Sequence, residues 1–230
     1  MQDITGDSAS DQSWIAPEGW PVMALAGGVT ILLTLVWLPL GCIALGLMVW
    51  LRHTLRTPSR QVPDAEGSVL APADGIVVDI SDGEVEPPAG TDMGRGRRVT
   101  IRTGLADAQL QRSPVAGRIT DNFLIPGLFR SADDVDLARR DNERREITIE
   151  IGMDAAGAGE RLLLVQIGTA TARQLVCRHG PGKFLEAGAP LGMPRIGGMT
   201  ELFLPAGSRL SVCKGQSVVA GETIIAALPR

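Results

Sequence analysis

Few side chains in this 230-residue sequence are of the types that attack carbonyls or move protons near neutral pH. The two histidines stand far apart: His53 follows a long apolar run and His179 falls in a turn, so both read as exposed polar residues. Cys42, Cys177 and Cys213 are scattered, with no CxxC pair and no adjacent histidine. That pattern argues against a zinc site and a disulfide scaffold and for reduced thiols in a cytosolic setting, and no metal is expected. Asp74, in "PADG", is the acidic candidate, although aspartate before glycine also suits a turn. The stretch "RIGGMTELFLP" (195–205) reads as a buried strand entered through Gly197 and Gly198. Glycine there marks a bulge or a close approach to the backbone. Thr200 lies two residues beyond Gly198, so in a strand both face the same side. Ser208, after the strand, reads as a turn residue.

These residues need elements to position them, and the sequence divides into distinct textures. Residues 1–18 are an acidic tail, with Asp3, Asp7, Asp11 and Glu18 and no Lys or Arg. From Gly19 to Leu51 there is no charge at all. About 20 apolar residues suffice to cross a bilayer as a helix, so 19–51 predicts a membrane anchor. "LPLG" at 38–41 leaves two arrangements open, one long kinked span or a hairpin of two short segments. Trp14, Trp20, Trp37 and Trp50 recur near the expected interfaces. Arg52, Arg56 and Arg60 follow at once, which by the positive-inside rule places the C-terminal region in the cytoplasm. Arg52 and Arg56 are candidates for contact with anionic headgroups. No basic tract suggests nucleic acid.

Residues 52–67 read as a basic, then polar, linker. From 68 to 230, short β-rich runs alternate with Gly/Pro turns, which predicts a mainly β domain, a compact sandwich or barrel. Only "RSADDVDLARRDNERR" (130–145) is long and polar enough for a loop or short helix, read as a solvated excursion. Two internal echoes emerge: "APADGIVV" with "SPVAGRIT", and "GPGKFLEAGAPLG" with "KGQSVVAGETI". Such paired patterns look like the hammerhead turns of biotinyl and lipoyl carrier domains. Lys183 and Lys214, the only lysines, lack the flanks of a carrier lysine, so a shared β geometry is the reading taken.

In order along roughly 15–230 stand "PEGWP", "VLAPADGIVVDI", "QRSPVAGRI", "DNER", "LLLVQIG", "ARQLVC" and "PRIGGMTELFLPAGSRLSVCKGQSVVAGETIIAAL". Together they resemble the short bacterial phosphatidylserine decarboxylases. The resemblance implies a bacterial inner-membrane protein that converts phosphatidylserine to phosphatidylethanolamine. Such proenzymes cut themselves at a Gly-Ser bond and carry the resulting covalent pyruvoyl group as electron sink.

The chain departs from that pattern where the chemistry starts. Gly198 stands where the serine belongs, after Gly197, and glycine has neither a hydroxyl to attack with nor a Cβ to become the pyruvoyl methyl. Gln109, between Asp107 and Pro114, takes the place of a histidine, and an amide cannot transfer a proton near neutral pH. Asp74 matches the family's acidic residue. In "FLIPGLFRSADD", Leu128 replaces a lysine while Pro126, Gly127 and Phe129 match. The reading is a degenerate member of the family that does not cut itself and carries no cofactor. It would bind phospholipid, with phosphatidylserine the first candidate, or a partner such as an active family member. Two alternatives stand beside it: an active decarboxylase using Thr200 as substitute nucleophile, and a structural adaptor of an envelope assembly.

Overall fold

The computed structural model describes residues 19–65, 67–81, 83–88, 93–152, 159–194 and 196–229. The chain divides into two units, the first ending at Ser59 and the second beginning at Arg60.

In the first unit the apolar run forms two helices, α1 (Trp20–Val36) and α2 (Leu38–Thr54). Between them Trp37 is extended, with φ −161° and ψ 119°. Pro39, in the first turn of α2, lacks an N–H and its ring would collide with the carbonyl of Leu35 in a continuous helix. The two helices pack against one another as a hairpin. A Cβ on Gly41 would overlap the Thr34 side chain, so this glycine sets the close approach beside the turn. The single kinked span is thereby replaced by a hairpin. Each helix has 17 residues, about 25 Å at 1.5 Å per residue. Among the described residues no helix is long and apolar enough to cross a membrane.

The second unit is mainly β. Its strands are β1 (Ser68–Leu70), β2 (Gly75–Ile80), β3 (Gly96–Thr103), β4 (Gln111–Arg112), β5 (Gly117–Ile125), β6 (Arg144–Ile151) and β7 (Glu160–Ile167). They continue as β8 (Leu175–Cys177), β9 (Phe184–Leu185), β10 (Pro190–Pro194), β11 (Gly198–Pro205), β12 (Arg209–Leu210), β13 (Ser217–Val218) and β14 (Ile224–Ala227). One helix, α3 (Val135–Asp141), interrupts them, started by Asp134, whose carboxylate accepts the Leu137 N–H at 2.9 Å.

The sheets reveal a duplication. The large sheet runs β13-β2-β3-β11-β7-β6-β5-β9, and the small ones run β1-β14-β12 and β4-β10-β8. Exchanging β1–β3 and β11–β14 for β4–β6 and β7–β10 maps each small sheet onto the other and the large sheet onto itself. Register obeys the same exchange: Thr103 faces Gly198 in one half, and Ile151 faces Glu160 in the other. So do single hydrogen bonds. Val77 accepts from Gly215 at 2.8 Å and donates to Gln216 at 2.9 Å, while Ile119 accepts from Gly182 at 2.7 Å and donates to Lys183 at 2.9 Å. Gly188 and Gly221, at φ +76° and +74°, turn the chain alike. The echoes in the sequence are therefore structural repeats. The second half (β4–β10) is inserted into the first between β3 and β11.

Alternation along β11 divides its burial between two cores. Leu202 and Leu204 join Val77, Ile101, Ile119, Ile149 and Leu164 in the main core, which the small sheets also line. Met199 and Phe203 face the opposite side with Leu163, Val165 and Ile167, beneath Ala138 of α3.

Candidate functional site

Asp74, Gln109, Gly197, Gly198 and Thr200 lie where β2 begins, β3 ends and β11 begins. Gly198 lies opposite Thr103 on β3, and the Thr103 hydroxyl donates to the main-chain carbonyl of Asp74 at 2.9 Å, just before β2. Asp74 thus sits two strands from Gly198, about 10 Å across the sheet at 4.8 Å per strand.

Gln109 reaches the glycine pair directly. Its Oε1 accepts the Gly197 N–H at 2.6 Å, and its Nε2 donates to the carbonyls of Gly104 at 3.0 Å and Asp107 at 2.8 Å. The residues it grips are made for that grip: the Asp107 carboxylate accepts the Gly104 N–H at 2.7 Å and closes the turn leaving β3. Gln109 is 1% exposed, and its amide is spent on backbone partners. A neutral amide there fixes geometry and relays no proton.

The glycines have taken a conformation of their own. Gly197 is at φ +71° and Gly198 at φ +114°, a region that side-chain-bearing L residues rarely adopt. A Cβ on Gly198 would lie 3.3 Å from Ala172 Cβ, 3.4 Å from the Ile167 carbonyl and 3.4 Å from Pro194 Cβ. Space is tight but present; the backbone dihedral is the obstacle. Arg195, at the head of the quoted stretch, lies outside the described residues.

Asp74 belongs to the same end of the sheet but works elsewhere. Its Oδ1 accepts the Ala220 N–H at 2.7 Å and its Oδ2 accepts Arg60 at 2.6 Å. The carboxylate ties Arg60 and the turn before β14 to the start of β2, and among the described residues no hydrogen bond joins it to Gln109.

Thr200 faces the side of Gly198, as alternation requires, and is 1% exposed. Its hydroxyl accepts Gln111 Nε2 at 2.6 Å, and Gln111 Oε1 accepts Gln166 Nε2 at 2.6 Å. This buried chain holds no acid or base that could activate the hydroxyl.

Arg52 lies in the last turn of α2, and Arg56 just beyond donates to the His53 carbonyl at 3.1 Å. Leu128, in the lysine's place, is half exposed and bonded through its backbone to Asp141 and Glu143. Asn142 of "DNER" is buried and donates to the carbonyls of Arg130 at 3.1 Å and Gly168 at 2.7 Å. That bond brings the 128–130 segment to the turn after β7, where Arg173 stands over the Phe129 ring at 5.8 Å. Among the described residues no group of three or more His, Cys, Asp or Glu is placed to hold a metal.

Two features lay beyond the sequence reading. Thr171 and Ala172 flank the glycines; their only signal is the small-residue run "GTATA" after an apolar strand. The other corrects the reading of 130–145 as solvated. Arg139 of α3 donates to buried Glu201 at 2.6 Å, to Asp79 at 3.0 Å and to Thr100 at 3.3 Å. Burial opposes the charge on Arg139, but Glu201 and Asp79 outweigh it and raise its pKa above the ordinary arginine value.

With this geometry in view, comparison with known proteins is informative. The family model for phosphatidylserine decarboxylase matches residues 47–226. A phosphatidylserine decarboxylase proenzyme of Ruegeria pomeroyi is 36% identical over 92% of this chain and 94% of its own length. The proenzyme of Beijerinckia indica is 35% identical over 92% and 88%, and that of Symbiobacterium thermophilum 35% identical over 94% and 96%. On this similarity, spread over nearly its whole length, the chain belongs to the phosphatidylserine decarboxylase family.

Proposed function

We propose that this chain is a membrane-associated member of the family that does not process itself and serves by binding phospholipid or a partner protein. The observation that carries the reading is residue 198. A pyruvoyl group keeps the Cα and Cβ of one residue, whose hydroxyl makes the cut and then leaves with the upstream chain, and Gly198 supplies neither Cβ nor hydroxyl. The surroundings fit the same reading: φ of +114° suits glycine alone, and an amide bound to backbone occupies the proton-transfer position. The residues present do not fit the group, so no decarboxylation step is derived through it. Phosphatidylserine and an active family member are the ligand and partner we propose, since the frame around the site is complete. Arg52 and Arg56 would meet anionic headgroups, and the inner membrane with the β domain toward the cytoplasm is the proposed location.

Intact mass spectrometry of the purified chain, with and without borohydride, tests this. One chain near 24.3 kDa, unchanged by the reductant, is the expected result. Two fragments breaking between 197 and 200, the smaller gaining mass on reduction, would overturn it.

A further inference from the structure

The surface of the helical hairpin is unlike that of a helix pair made for water. Leu25, Ile31, Leu32 and Leu35 on α1 and Ile43 and Leu47 on α2 are 62–80% exposed. With Trp20, Val29 and Val36 on α1 and Leu38, Leu45 and Val49 on α2 also exposed, the apolar surface covers about half of each helix's circumference, and so wide an apolar surface is the mark of a helix meant for an apolar surrounding. The hydroxyls inside the run turn back on their own helix: Thr30 donates to the Ala26 carbonyl at 2.7 Å and Thr34 to that of Thr30 at 2.8 Å. The apex is closed in part by its own backbone. Trp37 N–H donates to Leu33 at 2.9 Å, Leu40 and Gly41 donate to the Trp37 carbonyl at 3.0 and 3.2 Å, and Pro39 has no N–H to satisfy. Hydrocarbon accepts a backbone only when its polar groups are met internally, and these bonds meet part of that need at the turn. Val36, Trp37 and Leu38 at the tip are exposed and apolar. Charge in this region begins only at the open end, with Arg52 in the last turn of α2 and Arg56 after it.

We infer that the hairpin is a re-entrant wedge, entering the bilayer from one face and returning to it. The inference rests on the membrane association proposed above and goes beyond it in topology. A helix of about 25 Å falls short of a hydrocarbon core of about 30 Å. The one-residue connection at Trp37 offers no charged or loop segment to emerge on the far side, only one indole N–H. Both flanks of the hairpin, the acidic residues 1–18 and the chain after Leu51, therefore leave on one face, where a single span would separate them. The occupant is lipid hydrocarbon rather than a second copy, because a helix partner covers one face and would leave the others in water. The arginines at the open end fit the headgroup layer.

The full chain supplies its own reporters, since Cys42, five residues past Trp37, and Cys213 are both exposed thiols. Sealed inner-membrane vesicles from cells expressing Ser8→Cys would be treated with a membrane-impermeant maleimide and the modified peptides mapped by mass. The expected result is that Cys213 and the introduced thiol react from the same side, with Cys42 silent until detergent is added. Reaction of the two flanks from opposite sides would overturn the wedge while leaving membrane association intact. Ready reaction of Cys42 in sealed vesicles, with the chain washed free by alkaline carbonate, would overturn both. Leu35→Arg should abolish carbonate resistance without moving the urea midpoint of the β domain; unaltered resistance also counts against the wedge.

Discussion

The two halves of the β domain share strand order, register and turn geometry, yet Asp74, Gly198 and Thr200 all belong to one of them. In the second half, β6 passes to β7 with residues 152–159 between them. At the corresponding place in the first half, β3 and β11 are separated by the whole of the second half. The chain leaves through Gly104 and returns through Gly197, and Gln109 bonds the exit to the return. Asp74 has Ala116 as its counterpart, Thr200 has Leu162, and Glu201 has Leu163. The repeated frame is thus built of apolar ladder positions. Asp74, Thr200 and Glu201 are polar additions in the half that was opened, and Gln111, Gln166 and Arg139 reach them from the other. The site therefore belongs to the insertion point rather than to the repeated fold.

The contrast can be broken most forcefully at Arg139, where α3 of the second half reaches across to Asp79, Thr100 and Glu201 of the first. Arg139→Ala leaves the Glu201 carboxylate buried without its closest cation, and a loss of about 3 kcal/mol is expected from urea unfolding. Arg139→Met with Glu201→Leu gives the first half the residue type its counterpart Leu163 has, and should recover most of that loss; no recovery would refute the account. Gln109→Ala removes three backbone partners at once. About 2 kcal/mol should be lost, with faster hydrogen exchange at the Gly197 amide. Unchanged exchange there would mean the glutamine does not hold the return strand. Thr200→Val is expected to cost about 1 kcal/mol through the acceptor denied to Gln111, with the intact mass following the substitution alone. Were Thr200 a working nucleophile, this variant would instead remove a cleavage present in the parent.

Much of this was legible in the sequence where the signal is local. The echoes around Gly75 and Gly117, and around Gly188 and Gly221, mark the duplication because each turn has its own Gly and Pro chemistry. Pro39 announces the helix break for the same reason, and a glycine where a nucleophile should stand is visible in a single letter. Gln109 was singled out by family resemblance as standing in a histidine's place, while its bond to Gly197, 88 residues on, was not legible. Partnership across the fold had no such trace. Arg139 and Glu201 are 62 positions apart, and nothing in the spacing of a charged run tells which member turns inward. Asp74 likewise gave no hint that its carboxylate would be taken by Arg60 and Ala220.

The insertion point has one further consequence. From Gly198 onward the chain is knitted into what precedes it: β11 lies between β3 and β7, β13 pairs with β2, and β14 pairs with β1. A nick ahead of Gly198 would not free the tail, since every strand beyond it is zipped to a strand made earlier or to one that is. The architecture would stay one body on either side of such a seam, cut or uncut.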